Sequence, residues 1–300
     1  MIRFLYFGLP LGAVLLARDG LLPALAVLSP TEAPGRRRLR RLLGDRVVDA
    51  RGARPAALER RIRAWFDREP PDLVVSWFWT RRLPPRFVEE PRLGAIGVHP
   101  SLLPRHRGPD PFFHAIDSGD RVTGVTLHRL ERDYDTGAIL AREELAIGDR
   151  DSWQLARALD RPSLRLLRAG VRDAADGRLG AGEPQDARAA TEGGPPSGAE
   201  LCVDFRGPTE RVLRRCRALT PAPGLALELR GVPLVVTRVA PTAEVPRAVE
   251  PGEAAVSASG VVIRTADGAV RILRGVVADA AAEERELDGV ALARYLGVAD

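Results

Sequence analysis

Along residues 1–178, short apolar runs bounded by Gly, Pro or Ser alternate with stretches whose apolar residues recur every three to four positions. The runs read as buried strands and the periodic stretches as amphipathic helices. This predicts a strand over 2–7, a helix over 11–18 closed by Gly20, and a second strand over 22–28 ending in Ser29-Pro30. Strand, helix and strand in that order predict a parallel sheet. A weak strand over 46–48, a helix over 56–67 with Leu58, Ile62 and Phe66 on one face, and a strongly apolar strand over 73–78 follow. Pro84-Pro85 opens a short segment, and 95–98 is a strand with His99 at its carboxyl end. Residues 109–118 read as a helix with Pro near its start, where a missing N–H costs little. Residues 122–130 alternate as a strand, 138–140 lead into another, and 152–175 form a long helix with Asp151 or Ser152 as N-cap.

The pattern changes after residue 178. Residues 179–200 are rich in Gly, Pro and Ala and read as a linker. Beyond it come a helix over 209–218, a Pro-Ala-Pro-Gly turn at 221–224, and short strands over 226–229, 232–239, 254–257, 261–265 and 270–276. Turns at that spacing predict a small OB-like β-barrel. The expected layout is therefore an α/β domain over 1–178, a linker, and a barrel domain over 201–300.

Composition adds limits. A hydrophobic share of 45% with 28% charged residues is that of a globular chain. The net charge is +5, but all 45 basic residues are arginine, which with 29 Gly and 25 Pro suggests a GC-rich coding bias. Nucleic-acid binding therefore needs local evidence. One local feature is the run PGRRRLRR at 34–41, either a solvated charge run or an anion-binding loop at a strand end. Residues 201–300 hold 13 Arg against 13 acidic residues, a neutral balance. Cys202 and Cys216 have no metal or disulfide spacing, so a reducing cytoplasm is the expected location. The apolar stretch at 4–17 mimics a signal peptide but is read as a strand and helix, since Arg18-Asp19-Gly20 offers no small-residue cleavage site. No stretch is long enough to span a membrane.

All four histidines, His99, His106, His114 and His128, fall within residues 94–140. His99 precedes a Pro-stiffened turn and Asp135 opens a tight Asp-Thr-Gly turn. At the carboxyl ends of parallel strands both could face one cleft, where a carboxylate orients an imidazole for proton transfer. A structural His–Asp pair is the other reading. Trp77 and Trp79 either line a pocket or pack in the core, and His128 reads as a strand histidine.

The segments GVHPSLLP at 97–104, Arg107-Gly108 and Asp-Thr-Gly at 135–137 resemble the formyltransferase family, in which a formyl group passes from 10-formyltetrahydrofolate to an amine. The layout is most similar to the methionyl-tRNA formyltransferase branch. The resemblance implies a Rossmann-like domain with a mostly parallel sheet, and 10-formyltetrahydrofolate as co-substrate with no metal. It implies His99 and Asp135 as catalytic residues, with Gly97 standing where the family has Asn. It implies folate contacts at Arg82, Leu83, Arg132, Asp133 and Tyr134, and acceptor contacts at Arg36, Arg37, Arg38 and Ser101. Initiator tRNA is the implied partner of a monomeric, non-membrane protein. An amino sugar or another small amine is an alternative acceptor. Glycine offers no side-chain donor to an oxyanion, a loss of roughly 10²–10³ in rate. A water in the vacated space, or His106 or His114, could supply a donor. Otherwise the chain binds formyl-folate without transferring it, or passes the formyl group to water.

Overall fold

The computed structural model describes residues 2–278 and 284–297. The chain forms two compact units that interleave in sequence. Unit 1 is Met1–Pro111, Thr123–Leu145 and Ala158–Gly194; unit 2 is Phe112–Val122, Ala146–Arg157 and Pro195–Asp300.

The elements of the first half are β1 (Phe4–Gly8), α1 (Pro10–Arg18), β2 (Leu25–Leu28), α2 (Arg36–Leu43), β3 (Val47–Asp49), α3 (Pro55–Arg68), β4 (Leu73–Trp77), α4 (Pro85–Glu89), β5 (Ala95–His99), α5 (Pro111–Asp117), β6 (Val122–Arg129), β7 (Ile139–Ala146) and α6 (Ser152–Ala175). The sheet order is β3-β2-β1-β4-β5-β6-β7. From β3 to β5 every pair is parallel. β1 shows why: its two-residue period sends Phe4 and Tyr6 to one face and Leu5 and Phe7 to the other, so both faces are apolar and both are covered. On the first face pack Val14 and Leu16 of α1, Leu39 and Leu43 of α2, and Leu167 and Val171 of α6. On the second pack Leu58, Ile62, Trp65 and Phe66 of α3 with Phe87 of α4. The expected Rossmann-like, mostly parallel sheet is present.

Two expectations change. β6 runs antiparallel to β5, pairing Gly97 with His128 and His99 with Thr126. The Arg-rich run is also a helix rather than a loop. Leu39 and Leu43 lie one turn apart and are buried, which pulls the arginines into helical register. Arg36 falls on the inner side of that helix. Its guanidinium donates to Asp49 Oδ1 at 2.8 Å and to the carbonyls of Ser29 and Thr31 at 2.7 and 2.6 Å. It ties β2 to β3 and is not offered to an acceptor substrate, whereas Arg37 and Arg38 are exposed.

In unit 2, α7 (Thr209–Leu219) precedes β8 (Leu225–Leu229), β9 (Val232–Pro241), β10 (Ala254–Ser257), β11 (Gly260–Arg264), β12 (Ala269–Ala278), β13 (Glu284–Asp288) and α8 (Gly289–Tyr295). The sheet runs β10-β11-β12-β9-β8, with β13 also on β12, as an antiparallel half-barrel. β13 and α8 escape the sequence reading. The strand ERELD has no apolar alternation, and the helix is declared by its cap: Asp288 accepts from the amides of Val290 and Ala291 at 3.1 and 2.8 Å. Cys202 is exposed and Cys216 buried, and both are free thiols. Among the described residues no helix is long and apolar enough to cross a membrane.

Candidate functional site

The site belongs to unit 1. β5 ends at His99, and the chain then makes a turn stapled to β6. Ser101 Oγ donates to Arg105 O at 2.6 Å, Thr126 Oγ1 donates to Ser101 O at 2.7 Å, and Leu103 N donates back to Thr126 Oγ1 at 3.1 Å. Ser101 is fully buried, so it holds the turn and cannot touch an acceptor as the resemblance implied. The turn ends at His106, whose φ of 56° swings its carbonyl to His99 Nε2 at 2.8 Å.

Asp135 does not come off the end of a parallel strand as expected. It sits in the loop joining β6 to β7, and because β6 is antiparallel that loop must fold back to reach His99. Asp135 Oδ2 lies 3.4 Å from His99 Nδ1 and accepts from Gly108 N at 2.9 Å. The return is tight. Asp135 has φ of 56°, and a Cβ on Gly137 would lie 2.0 Å from Arg129 O, so only glycine fits there. Gln185 secures the loop, donating to Asp135 O at 2.8 Å and Gly137 O at 2.7 Å. Its own carbonyl accepts from Arg107 Nε and Nη2 at 3.1 and 2.7 Å.

His128 completes the group. Its Nδ1 lies 2.8 Å from Arg129 O and its Nε2 3.7 Å from Asp135 Oδ1. Burial, opposed by the Asp135 charge, pushes its pKa down to about 4, so it is neutral near pH 7. The carbonyl partners assign the tautomers. Neutral His128 donates from Nδ1 and turns its Nε2 lone pair to the carboxylate. His99 donates from Nε2 to His106 O, and its Nδ1 faces Asp135 Oδ2 at 3.4 Å. The arrangement sets two imidazoles against one carboxylate.

Gly97 lies cross-strand from His128. Its φ is not positive, so the backbone does not demand glycine. The space is tight: a Cβ here would meet Leu130 Cδ2, the end of a side chain, at 2.8 Å. The Leu130 side chain lies beside Gly97. The two histidines expected as substitute donors have other contacts here. His106 meets His99 with its peptide carbonyl, while its ring nitrogen lies 3.4 Å from Thr191 Oγ1. His114, on α5, stands edge-on to Phe113.

The residues expected to contact folate form one surface strip. Arg82 Nε donates to Arg132 O at 2.9 Å, Arg82 Nη2 to Asp133 Oδ1 at 3.0 Å, and its guanidinium lies 5.8 Å from the Tyr134 ring centre. Arg132 pairs with Glu89, which holds the Glu89 carboxyl below its ordinary range. Leu83 packs into the core face beneath. Trp77 is buried in the core and Trp79 stands edge-on to Phe7 at 5.1 Å.

Several of these groups come from the expected linker. Besides Gln185, Thr191 Oγ1 accepts from His106 N at 2.8 Å and Gly193 accepts from Asp110 N at 2.8 Å. Thr191 and Glu192 lie beside Arg107 as a short parallel bridge. A lone Gln or Thr in a Gly/Pro/Ala-rich stretch carries no pattern that announces such a role.

Comparison with known proteins agrees with this architecture. Residues 24–161 match the formyl transferase family and residues 197–282 its C-terminal domain. Methionyl-tRNA formyltransferase of Aromatoleum aromaticum is 36% identical over 204 residues, 67% of this chain and 63% of that protein. The match thus spans less than two thirds of that relative's length. The enzyme of the same name from Variovorax paradoxus is 35% identical over 233 residues, 77% of this chain and 69% of that protein. HypX from Aquifex aeolicus, in complex with tetrahydrofolic acid, superposes with a TM-score of 0.63 at 21% identity over 99% of this chain and 47% of that one, a likeness of fold. With both domains matched and more than two thirds of the Variovorax protein covered, this chain belongs to the formyl transferase family.

Proposed function

We propose that the protein transfers a formyl group from 10-formyltetrahydrofolate to an amine, with the methionyl amine of initiator tRNA as acceptor. The observation that carries this reading is the His99–Asp135 pair at 3.4 Å, buried at the carboxyl end of β5. The bound formyl donor supplies an electrophilic carbon to the amine. Asp135 orients the His99 ring. The Nε2–H of His99 donates to His106 O in this structure and would have to turn from it to serve an oxygen that gains charge. Neutral His128 places no positive charge beside Asp135.

The residues near the strip suit a folate. Trp79 Nε1 and Arg81 Nη1 are buried donors without a hydrogen-bond partner. Buried donors normally find acceptors, and a pterin ring is rich in them. Tyr134, 56% exposed, offers a flat apolar face. Exposed Arg37 and Arg38 of α2 suit the phosphates of an RNA acceptor. The neutral balance of residues 201–300 favours a small amine such as an amino sugar as the second reading.

Turnover of 10-formyltetrahydrofolate with methionyl-tRNA and with amino sugars decides between them. We expect formylated methionyl-tRNA, and loss of all turnover in His99→Ala; retained turnover places the chemistry elsewhere. A salt titration of initiator-tRNA binding tests the acceptor. Absence of any salt-dependent affinity would remove tRNA from the proposal.

A further inference from the structure

We propose that Gln185 is a positioning residue of this site, setting the Asp135 carboxylate against His99 through the backbone of the loop that carries it. The role goes beyond the catalytic pair; that the pair transfers formyl groups rests on the function proposed above.

The loop needs an external hold. Asp135 is a non-glycine residue at φ 56°, a left-handed conformation that its surroundings must hold. Both carbonyls flanking the Asp135–Gly137 turn point to Gln185 Nε2, at 2.8 and 2.7 Å. The other end of the same amide accepts twice from Arg107. Arg107 in turn precedes Gly108, whose N–H donates to Asp135 Oδ2 at 2.9 Å. One side chain thus grips the backbone behind the carboxylate and, through Arg107, the segment that holds the carboxylate in front.

The chemistry selects glutamine. It has two donors and an acceptor at one planar end. Arginine has no acceptor for Arg107, and glutamate has no donor for the two carbonyls. Gln185 is also half-buried in a stretch, 181–189, whose other residues are all exposed, so its side chain turns inward where its neighbours do not.

The test uses the full-length protein with Gln185→Glu and Gln185→Met. Glutamate keeps the grip on Arg107, and strengthens it by charge, but cannot donate to Asp135 O or Gly137 O. Methionine keeps the volume and loses both. The readouts are amide exchange at Gly108, with the β4 amides as the control for intact folding, and steady-state formyl transfer. We expect both variants to lose about tenfold or more of Gly108 protection with β4 unchanged, equivalent to about 1.4 kcal/mol. We expect kcat to fall about 100-fold, the scale of a small misplacement of a catalytic group, with KM for the formyl donor unchanged. If Gln185→Glu matches the wild type at Gly108 and in kcat, the residue serves only Arg107 and the proposal is overturned. If Gln185→Glu loses β4 protection as well, Gln185 holds the fold at large and the proposal is again overturned. A wild type that transfers no formyl group overturns the proposed function instead, and Gly108 exchange still decides the role of Gln185.

Discussion

Gly97 and Leu130 form a matched pair. The glycine leaves room beside His99, and the leucine methyl occupies it. An amide at position 97 therefore competes with an apolar side chain already there. Gly97→Asn alone should cost about 1–3 kcal/mol by overpacking. With Leu130→Ala in the same chain the asparagine should fit, and a urea-denaturation double-mutant cycle should give a favourable coupling of about 1 kcal/mol. Additive effects would mean that Leu130 yields without cost. The colliding atom is the end of a side chain, so Gly97→Ala should be milder than Gly97→Asn.

Among the elements, α2 divides its arginines between two tasks. Arg36→Met removes donors from Asp49, Ser29 O and Thr31 O, and should lower stability by about 1–3 kcal/mol. Arg37→Ala and Arg38→Ala lie on the exposed side and should stay within about 0.5 kcal/mol. If tRNA is the acceptor, these two should instead reduce the salt slope of its binding. Melting curves and salt titrations of the three variants separate the tasks. The segment after α6 also acts as an element. The amides of Glu183, Thr191 and Gly193 donate to Ile139 O, Pro104 O and Arg107 O. Amide exchange should find these three protected. Rapid exchange at all of them would restore the simple linker expected from composition.

At the scale of the whole molecule, acid should act in two stages. His128 has its pKa lowered by burial, from 6.5 to about 4. Between those values the unfolded chain binds the proton and the folded one does not, so stability falls as pH drops from 6.5 towards 4. The second stage begins below the ordinary Asp value of 3.8. Hydrogen bonding to Arg168 holds Asp19 below it, and the Arg3 amide does the same for Asp72. Those contributions are present above 3.8 and are lost as pH falls through the lowered values. Urea titrations at stepped pH should show His128→Gln flattening the first stage and leaving the second. An unchanged slope between pH 6.5 and 4 would mean that His128 is not the buried neutral group.

What the sequence determined by itself was the part that depends on near neighbours. Strand β1 and helices α1, α3 and α6 follow from periodicity within single elements, and the fold class from their alternation. The segments around His99 and Asp135 were legible because their turns demand particular residues close together: prolines after His99, and a glycine at position 137 with no room for a Cβ. The tertiary structure alone decided how those segments meet. The antiparallel turn of β6 sends the Asp135 loop back to His99, Leu130 reaches Gly97 from 33 positions away, and Gln185 reaches Asp135 from 50. Such contacts depend on the path of the chain between the partners, and Gln185 and Leu130 carry no local periodicity that records it.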